Sequence, residues 1–422
     1  MLYYFVKIIM LLYQRVYFKR IYISGVKHIP KNQPVFLAAN HTNGFLDGVM
    51  VSELLWKPTY IFVRGDVFKK KWANFLLRSL KLIPIFRSRD GEDARENLSN
   101  NNSSFDQLYQ EFKKNKVVLI FPEADAIIEK RLRPLKKGMA RIVADMESRE
   151  DGNMKVAIVP TSINYLHYKK YRNEIMIQFS EPIYLSDYKT EDGNDRKAQN
   201  RLTSDLENRI KKMMVDINPG DDEITETALN IYRNSLPHNI WQFWHRKNTR
   251  IYTEIGIADG IKNEKPDSIL RQQLKEYATL LKENDLTELG FNPLKIWQWI
   301  FLLIFSIPSF LSWMVYKWGL VYGKKVVNTK IKKDELYESV YCGIGLSWFL
   351  ILTLIGYPIA AIFLGWSGVM FWFIFSLFSI SYQHCRDFWL QFVEHRKWNK
   401  SAAKVSNLRV DLIKKLEVFR AL

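Results

Sequence analysis

His41 and Asp47 are the two residues of this chain whose types and spacing best suit shared chemistry. They lie in Ala38-Ala-Asn-His-Thr-Asn-Gly-Phe-Leu-Asp47, at the end of the apolar run from Pro34 to Ala39. An imidazole titrates near neutral pH, and a carboxylate beside it holds one tautomer. Such a pair can take a proton from a hydroxyl. On an ideal helix an offset of six residues turns about 240°, which puts the two side chains on different faces. An irregular turn, which Gly44 can supply, is needed to bring them together.

Three later stretches each end an apolar, β-branched run on a polar residue or a proline. They are Leu82-Ile-Pro-Ile-Phe-Arg87 with Arg89, Val117-Val-Leu-Ile-Phe-Pro-Glu123, and Val156-Ala-Ile-Val-Pro160. Buried strands that deliver groups to one edge of a sheet have this form. Together with Pro134-Leu-Lys-Lys-Gly138, the blocks resemble the glycerolipid (lysophospholipid) acyltransferase family in order and rough spacing, over about residues 30 to 185. Two departures stand out. Five residues separate His41 from Asp47 where the family usually has four, and Ala124 follows Glu123 where the family has glycine. The longer spacing, and the length from Glu123 to Gly138, resemble a subset related to the fungal-type glycerol-3-phosphate acyltransferases. That tilts the expected acceptor toward glycerol 3-phosphate.

The resemblance implies acyl transfer to an alcohol. His41 would deprotonate the acceptor hydroxyl, which attacks the thioester carbonyl directly, and Asp47 would orient the imidazole and stabilise its cation. No serine or cysteine stands in a nucleophile-elbow context, which argues against a covalent acyl-enzyme. Arg87 can grip the acceptor phosphate in two-pronged fashion, with Arg89 as its competitor, and Lys136 or Lys137 can add a mobile charge. Glu123 would bind glycerol hydroxyls or hold the phosphate-binding arginine. The donor would be acyl-CoA or acyl-carrier protein. The acceptor would be glycerol 3-phosphate, dihydroxyacetone phosphate or a 1-acyl lysolipid, on the way to phosphatidic acid. No metal or bound cofactor is implied. Remodelling of another lysophospholipid fits the same chemistry. A weakly catalytic lipid-binding scaffold is the rival reading that Ala124 favours.

A formal charge of +18 and a pI near 9.5 call for an anionic partner. No zinc-finger, basic-zipper or RNA-binding signature is present, so anionic membrane lipids and phosphorylated substrates are expected rather than nucleic acid. The two cysteines, Cys342 and Cys385, lie in very apolar sequence and match no metal-ligand spacing or disulfide framework.

The elements that must position these residues follow from periodicity. Residues 1–20 read as an interfacial anchor helix. Residues 21–216 read as an α/β acyltransferase domain with a mostly parallel mixed sheet. Its expected strands are 35–39, 59–63, 82–86, 117–121, 156–163 and 174–179, and its expected helices lie near 45–55, 68–80, 93–115 and 138–146. Residues 217–292 read as a charged helical connector, 293–385 as a C-terminal helical membrane region, and 386–422 as a basic cytoplasmic tail. Ile296 to Tyr316 is uncharged over 21 residues, and Ser339 to Cys385 folds as a hairpin turning at Gly365-Trp-Ser-Gly368. Six lysines between Lys317 and Lys333, and the basic tail, belong in the cytoplasm with the catalytic domain. A full crossing of Ile296–Tyr316 would put those basic segments outside, whereas a re-entrant hairpin kinked at Pro308 would keep them inside, and sequence leaves both open. The resulting expectation is an integral protein of a bacterial inner membrane. The uncharged segments offer no acidic or basic residue to line an ion path, which weighs against a pore or transporter.

Overall fold

The computed structural model describes residues 2–55, 57–86, 94–149, 153–189, 195–236, 243–245, 250–399 and 403–421. Its elements in chain order are α1 (Leu2–Tyr17), β1 (Phe18–Ser24), β2 (Val35–Ala39), α2 (Gly44–Leu54), β3 (Thr59–Arg64), α3 (Lys71–Ser79), β4 (Leu82–Ile85), α4 (Ala94–Lys113), β5 (Val117–Ile120) and α5 (Gly138–Ser148). There follow β6 (Ala157–Tyr165), β7 (Asn173–Phe179), α6 (Asp195–Lys211), α7 (Asp222–Ser235), β8 (Trp244–His245), α8 (Arg250–Asn263), α9 (Ile269–Glu283), α10 (Ile296–Lys330), α11 (Tyr337–Trp398) and α12 (Ala403–Glu417).

The strands form one sheet in the order β4-β3-β5-β2-β6-β7-β1-β8. β4, β3, β5, β2 and β6 run parallel, β7 opposes β6, and β1 and β8 share β7's direction. The class is therefore α/β with a mostly parallel mixed sheet. β2 and β5 are buried along their whole length, the pattern of strands covered on both faces. Side chains alternate between two cores, as the two-residue period of a strand requires. Val35, Leu37 and Ala39 join α1, α2 and the start of α11 on one face. Phe36 and Ala38 join α4, α5 and α6 on the other.

Two strands escape the sequence pattern. β1 carries Lys19 and Arg20 in the middle of its apolar residues, which hides its alternation. The structure tolerates Arg20 there because Glu174 of the neighbouring strand pairs it at 3.2 Å and also takes Arg250 at 2.6 Å. β8 is two residues long and has no periodicity to read. Among its described residues, the charged connector holds three α-helices, α7, α8 and α9, and lends β8 to the edge of the sheet. These helices pack with α12 of the basic tail around Ile231, Leu274, Tyr277 and Leu412. Buried Arg409 of the tail donates to Glu288 at 2.8 Å, so the two segments share one core.

α10 and α11 are long and apolar enough to cross a membrane. α11 breaks at Gly365, whose φ of 57° and ψ of −143° are not helical. Beyond the break the chain folds back, bringing Trp372 against Gly356 and Gly368 against the Ala360 carbonyl. The other ends of the two legs meet the same residue: Tyr341 and Arg386 both pack on Tyr171. α10 runs helically through Pro308. It starts against Phe388 and Gln391, its Ser312 donates to the Phe375 carbonyl at 2.7 Å, and its Gly323 lies against Tyr341. α10 thus packs along both legs of the hairpin.

Candidate active site

The site forms at the carboxyl edge of the parallel strands. Asn40, the residue after β2, locks that strand's end to β6. Its Nδ2 donates to the Ile163 carbonyl at 2.9 Å and its Oδ1 accepts the Ile163 N–H at 2.7 Å. His41 follows directly and is aimed by this clamp. The chain then turns through Gly44, with φ of +21°, into α2. Asp47, in the first turn of α2, therefore points back at His41.

Asp47 is fully buried and accepts four hydrogen bonds. Its Oδ2 takes His41 Nδ1 at 2.9 Å and the backbone N–H groups of Thr42 at 2.9 Å and Asn43 at 2.8 Å. Its Oδ1 takes the Tyr165 hydroxyl at 2.8 Å. Burial, with the Asp47 charge beside it, holds the Tyr165 phenol well above its usual range, so it stays a donor. A carboxylate has no proton to give, so Nδ1 of His41 must carry one, and Nε2 of the neutral ring keeps its lone pair. Phe121 stacks on the imidazole, 3.9 Å between ring centres and 13° from parallel, and fixes its plane. The His41 side chain remains 17% exposed, enough for a substrate hydroxyl to reach it.

Glu123, after β5, ties the second loop to the first. Its Oε1 accepts the His41 backbone N–H at 2.7 Å, and its Oε2 takes Arg133 Nε at 3.1 Å. Burial raises the Glu123 pKa, opposed by those hydrogen bonds and by the Arg133 charge. Arg133 also donates to the Asp125 carbonyl, and the Ile127 N–H donates to the His41 carbonyl at 3.2 Å. Ala124 adopts φ of +70°, the backbone conformation that a glycine would hold without strain. The departure from the family pattern thus keeps the geometry and carries the strain.

Lys136 and Lys137 are both exposed, and the Lys136 N–H donates to the Pro122 carbonyl at 2.8 Å, which sets that loop beside the Phe-Pro-Glu turn. Arg87 and Arg89 lie outside the described residues. The described part of their strand ends at the same sheet edge as His41. Among the described residues no group of three or more His, Cys, Asp or Glu could hold a metal.

Several partners have no signal in local sequence. Tyr165 lies 118 residues from Asp47, and Arg133, which pairs with Glu123, stands in the loop ten residues further on. The start of α11 also grips the loop between β2 and α2. Asn43 Nδ2 donates to buried Glu338 Oε2 at 3.0 Å, the Leu46 N–H donates to Ser339 Oγ at 3.1 Å, and Gly44 lies under the Glu335 carbonyl. Only Asn40 had a readable clue, as the polar residue closing an apolar strand.

Parts of this chain are similar to known proteins. Residues 20–164 match the family model for acyltransferases. Glycerol-3-phosphate O-acyltransferase 2 of Saccharomyces cerevisiae is 33% identical over 85 residues, covering 20% of this chain and 11% of the yeast protein. Glycerol-3-phosphate O-acyltransferase 1 of the same yeast is 32% identical over 82 residues, covering 19% and 10%. The matches thus span about a tenth of the length of these relatives. The 1-acyl-sn-glycerophosphate (LPA) acyltransferase PlsC from Thermotoga maritima superposes with a TM-score of 0.34 at 14% identity, over 48% of this chain and 79% of that one. This chain carries a domain of the acyltransferase family.

Proposed function

We propose that the protein moves a fatty acyl group from acyl-CoA or acyl-carrier protein to glycerol 3-phosphate or 1-acylglycerol 3-phosphate, in phosphatidic acid synthesis at a membrane. The observation that carries the reading is His41, held through Nδ1 by Asp47 with Nε2 left as a base. Nε2 takes the acceptor's hydroxyl proton as that oxygen bonds to the thioester carbonyl carbon. The carbon–sulfur bond then breaks, and the imidazolium returns the proton to the departing thiolate. Base assistance of this kind is worth about 10²–10⁴-fold.

The acceptor phosphate is assigned to the cations around the Phe-Pro-Glu loop: Arg133, Lys136 and Lys137, joined by Arg87 or Arg89. Glu123 holds Arg133 and the His41 backbone together, a fixed link between phosphate grip and base. The yeast relatives, named for glycerol 3-phosphate, favour that acceptor. The lysine-rich stretch after Tyr316 and the basic tail favour a cytoplasmic catalytic domain on a bacterial inner membrane. Initial rates of the purified full chain, with each acceptor offered separately and each donor in turn, test the assignment. Turnover of glycerol 3-phosphate above 1-acylglycerol 3-phosphate is expected. Turnover of neither, with both donors, overturns it.

A further inference from the structure

α3 fits neither core. None of its side chains is buried, although Trp72, Phe75 and Leu76 stand at the i, i+3, i+4 spacing of one helical face. They are 68%, 76% and 37% exposed. Single exposed apolar residues need no explanation, but a contiguous aromatic face does. Lys69, Lys70 and Lys71, all exposed, cluster at the N-terminus of this same helix. The helix dipole disfavours cations there, so helix stability does not account for them.

The sheet order tells which way α3 faces. The steps β2 to β3 and β3 to β4 both move toward the same edge of the sheet. Right-handed crossovers then place α2 and α3 on one face. α2 occupies the face it shares with α1 and the start of α11. The step β4 to β5 runs back, and α4 lies on the opposite face, as the rule requires. The rule thus puts α3 toward the side from which the membrane hairpin departs, at the β4 edge of the sheet, where its Arg78 also reaches round to Gln107 of α4 at 3.0 Å. The exposed apolar face of α1, with Phe5, Ile8 and Leu12, belongs to the same side. The crossover holding α3 also leaves β3 at the carboxyl edge where His41 sits.

We propose that α3 docks on the surface of an anionic phospholipid bilayer. Lys69, Lys70 and Lys71 meet the headgroups while Trp72, Phe75 and Leu76 enter the acyl boundary. Aromatic and basic residues on one helix are the composition of such an interfacial element. The proposal rests on the membrane reading of α10 and α11 and adds a second attachment beside the catalytic edge, one that seats the catalytic domain on the bilayer.

The test uses the full chain with Cys342→Ala and Cys385→Ala, both native thiols being buried. A single reporter cysteine is introduced as Phe75→Cys, labelled with an environment-sensitive dye, and the protein is placed one copy per nanodisc. Phe363→Cys, beside the hairpin turn, reports insertion of the hairpin, and Arg201→Cys, on the opposite face of the sheet, reports water. In discs containing phosphatidylglycerol, the label at 75 is expected to shift to the blue, to be quenched by brominated acyl chains and to be shielded from iodide. Lys69→Glu, Lys70→Glu and Lys71→Glu together abolish that shielding. Iodide access at 75 with quenching at 363 by brominated chains overturns the proposal and leaves the membrane reading standing. Shielding from iodide without lipid quenching also overturns it, since protein then covers α3. Shielding that survives the charge reversal removes the anionic headgroups as partner. Iodide access at 363 removes the membrane reading, and the proposal with it.

Discussion

Asp47→Asn should keep the shape of the site and remove a single charge. Oδ2 of Asp47 receives three donors, two of them the rigid backbone N–H groups of Thr42 and Asn43. An amide has one acceptor oxygen and one donor nitrogen. Turning the nitrogen toward those N–H groups would strand buried donors, at about 1–3 kcal/mol each. The amide oxygen therefore stays on that side and goes on accepting from His41 Nδ1. The nitrogen faces Tyr165, whose hydroxyl can rotate to accept. The tautomer with a free Nε2 survives, and only the charge that stabilises the imidazolium is lost. Hydrogen bonds to charged groups contribute about 1.5–3 kcal/mol against about 0.5–1.5 for neutral ones. A difference of about 1–2 kcal/mol lowers kcat by about 5- to 30-fold. Asp47→Ala strands the backbone donors and frees the ring, so its loss should approach that of His41→Ala. The assay is kcat at saturating donor and acceptor, with thermal unfolding as the control for folding. An Asp47→Asn enzyme as inactive as His41→Ala would refute the argument that the backbone amides fix the tautomer, and one with wild-type kcat would remove Asp47 from the chemistry.

Other outcomes follow from the same contacts. Arg133→Ala should raise the acceptor KM by about 10-fold or more, the loss of one charge-assisted contact, and Arg133→Lys should recover part of it; equal KM values in all three forms would remove Arg133 from phosphate binding. Glu338→Ala and Ser339→Ala, outside the segment matched by the family model, should lower kcat with little change in either KM, because they release Asn43 and the Leu46 N–H. Gly44→Ala places a methyl about 2.9 Å from the Glu335 carbonyl oxygen and should cost about 1–3 kcal/mol of stability, read as a lower Tm. Glu123 has a folded pKa raised by burial, so its contribution to stability is complete below the carboxylate's unfolded value and is lost as pH rises through the higher folded one. Urea unfolding over that acid range should show a pH slope that Glu123→Gln flattens.

The sheet's centre was legible because its strands are apolar on both faces: Val35–Ala39 and Val117–Ile120 announce themselves without any partner. β1 was not, since Lys19 and Arg20 interrupt it, and Arg20 is made tolerable only by Glu174, far along the chain. At the site, the pairing of His41 with Asp47 and the need for an irregular turn at Gly44 could be read from type and spacing. The partners that make the pair rigid could not. Tyr165, Arg133 and Glu338 reach it from other strands, loops and helices, and nothing local marks a tyrosine at a strand end or a glutamate in the first turn of a long apolar helix as a partner of that pair. The connector and the tail looked like separate charged segments because their apolar residues are spaced for each other, as Leu274 and Leu412 are, rather than for a helix standing alone.

The most direct test of the account is acyl transfer by the full-length protein in lipid nanodiscs, wild type beside His41→Ala, with glycerol 3-phosphate and a radiolabelled acyl thioester. The account predicts a labelled acylglycerol phosphate from the wild type and a loss of about 10²–10⁴-fold in the variant, with unfolding temperatures unchanged. A folded His41→Ala protein that turns over within a few fold of wild type would contradict it.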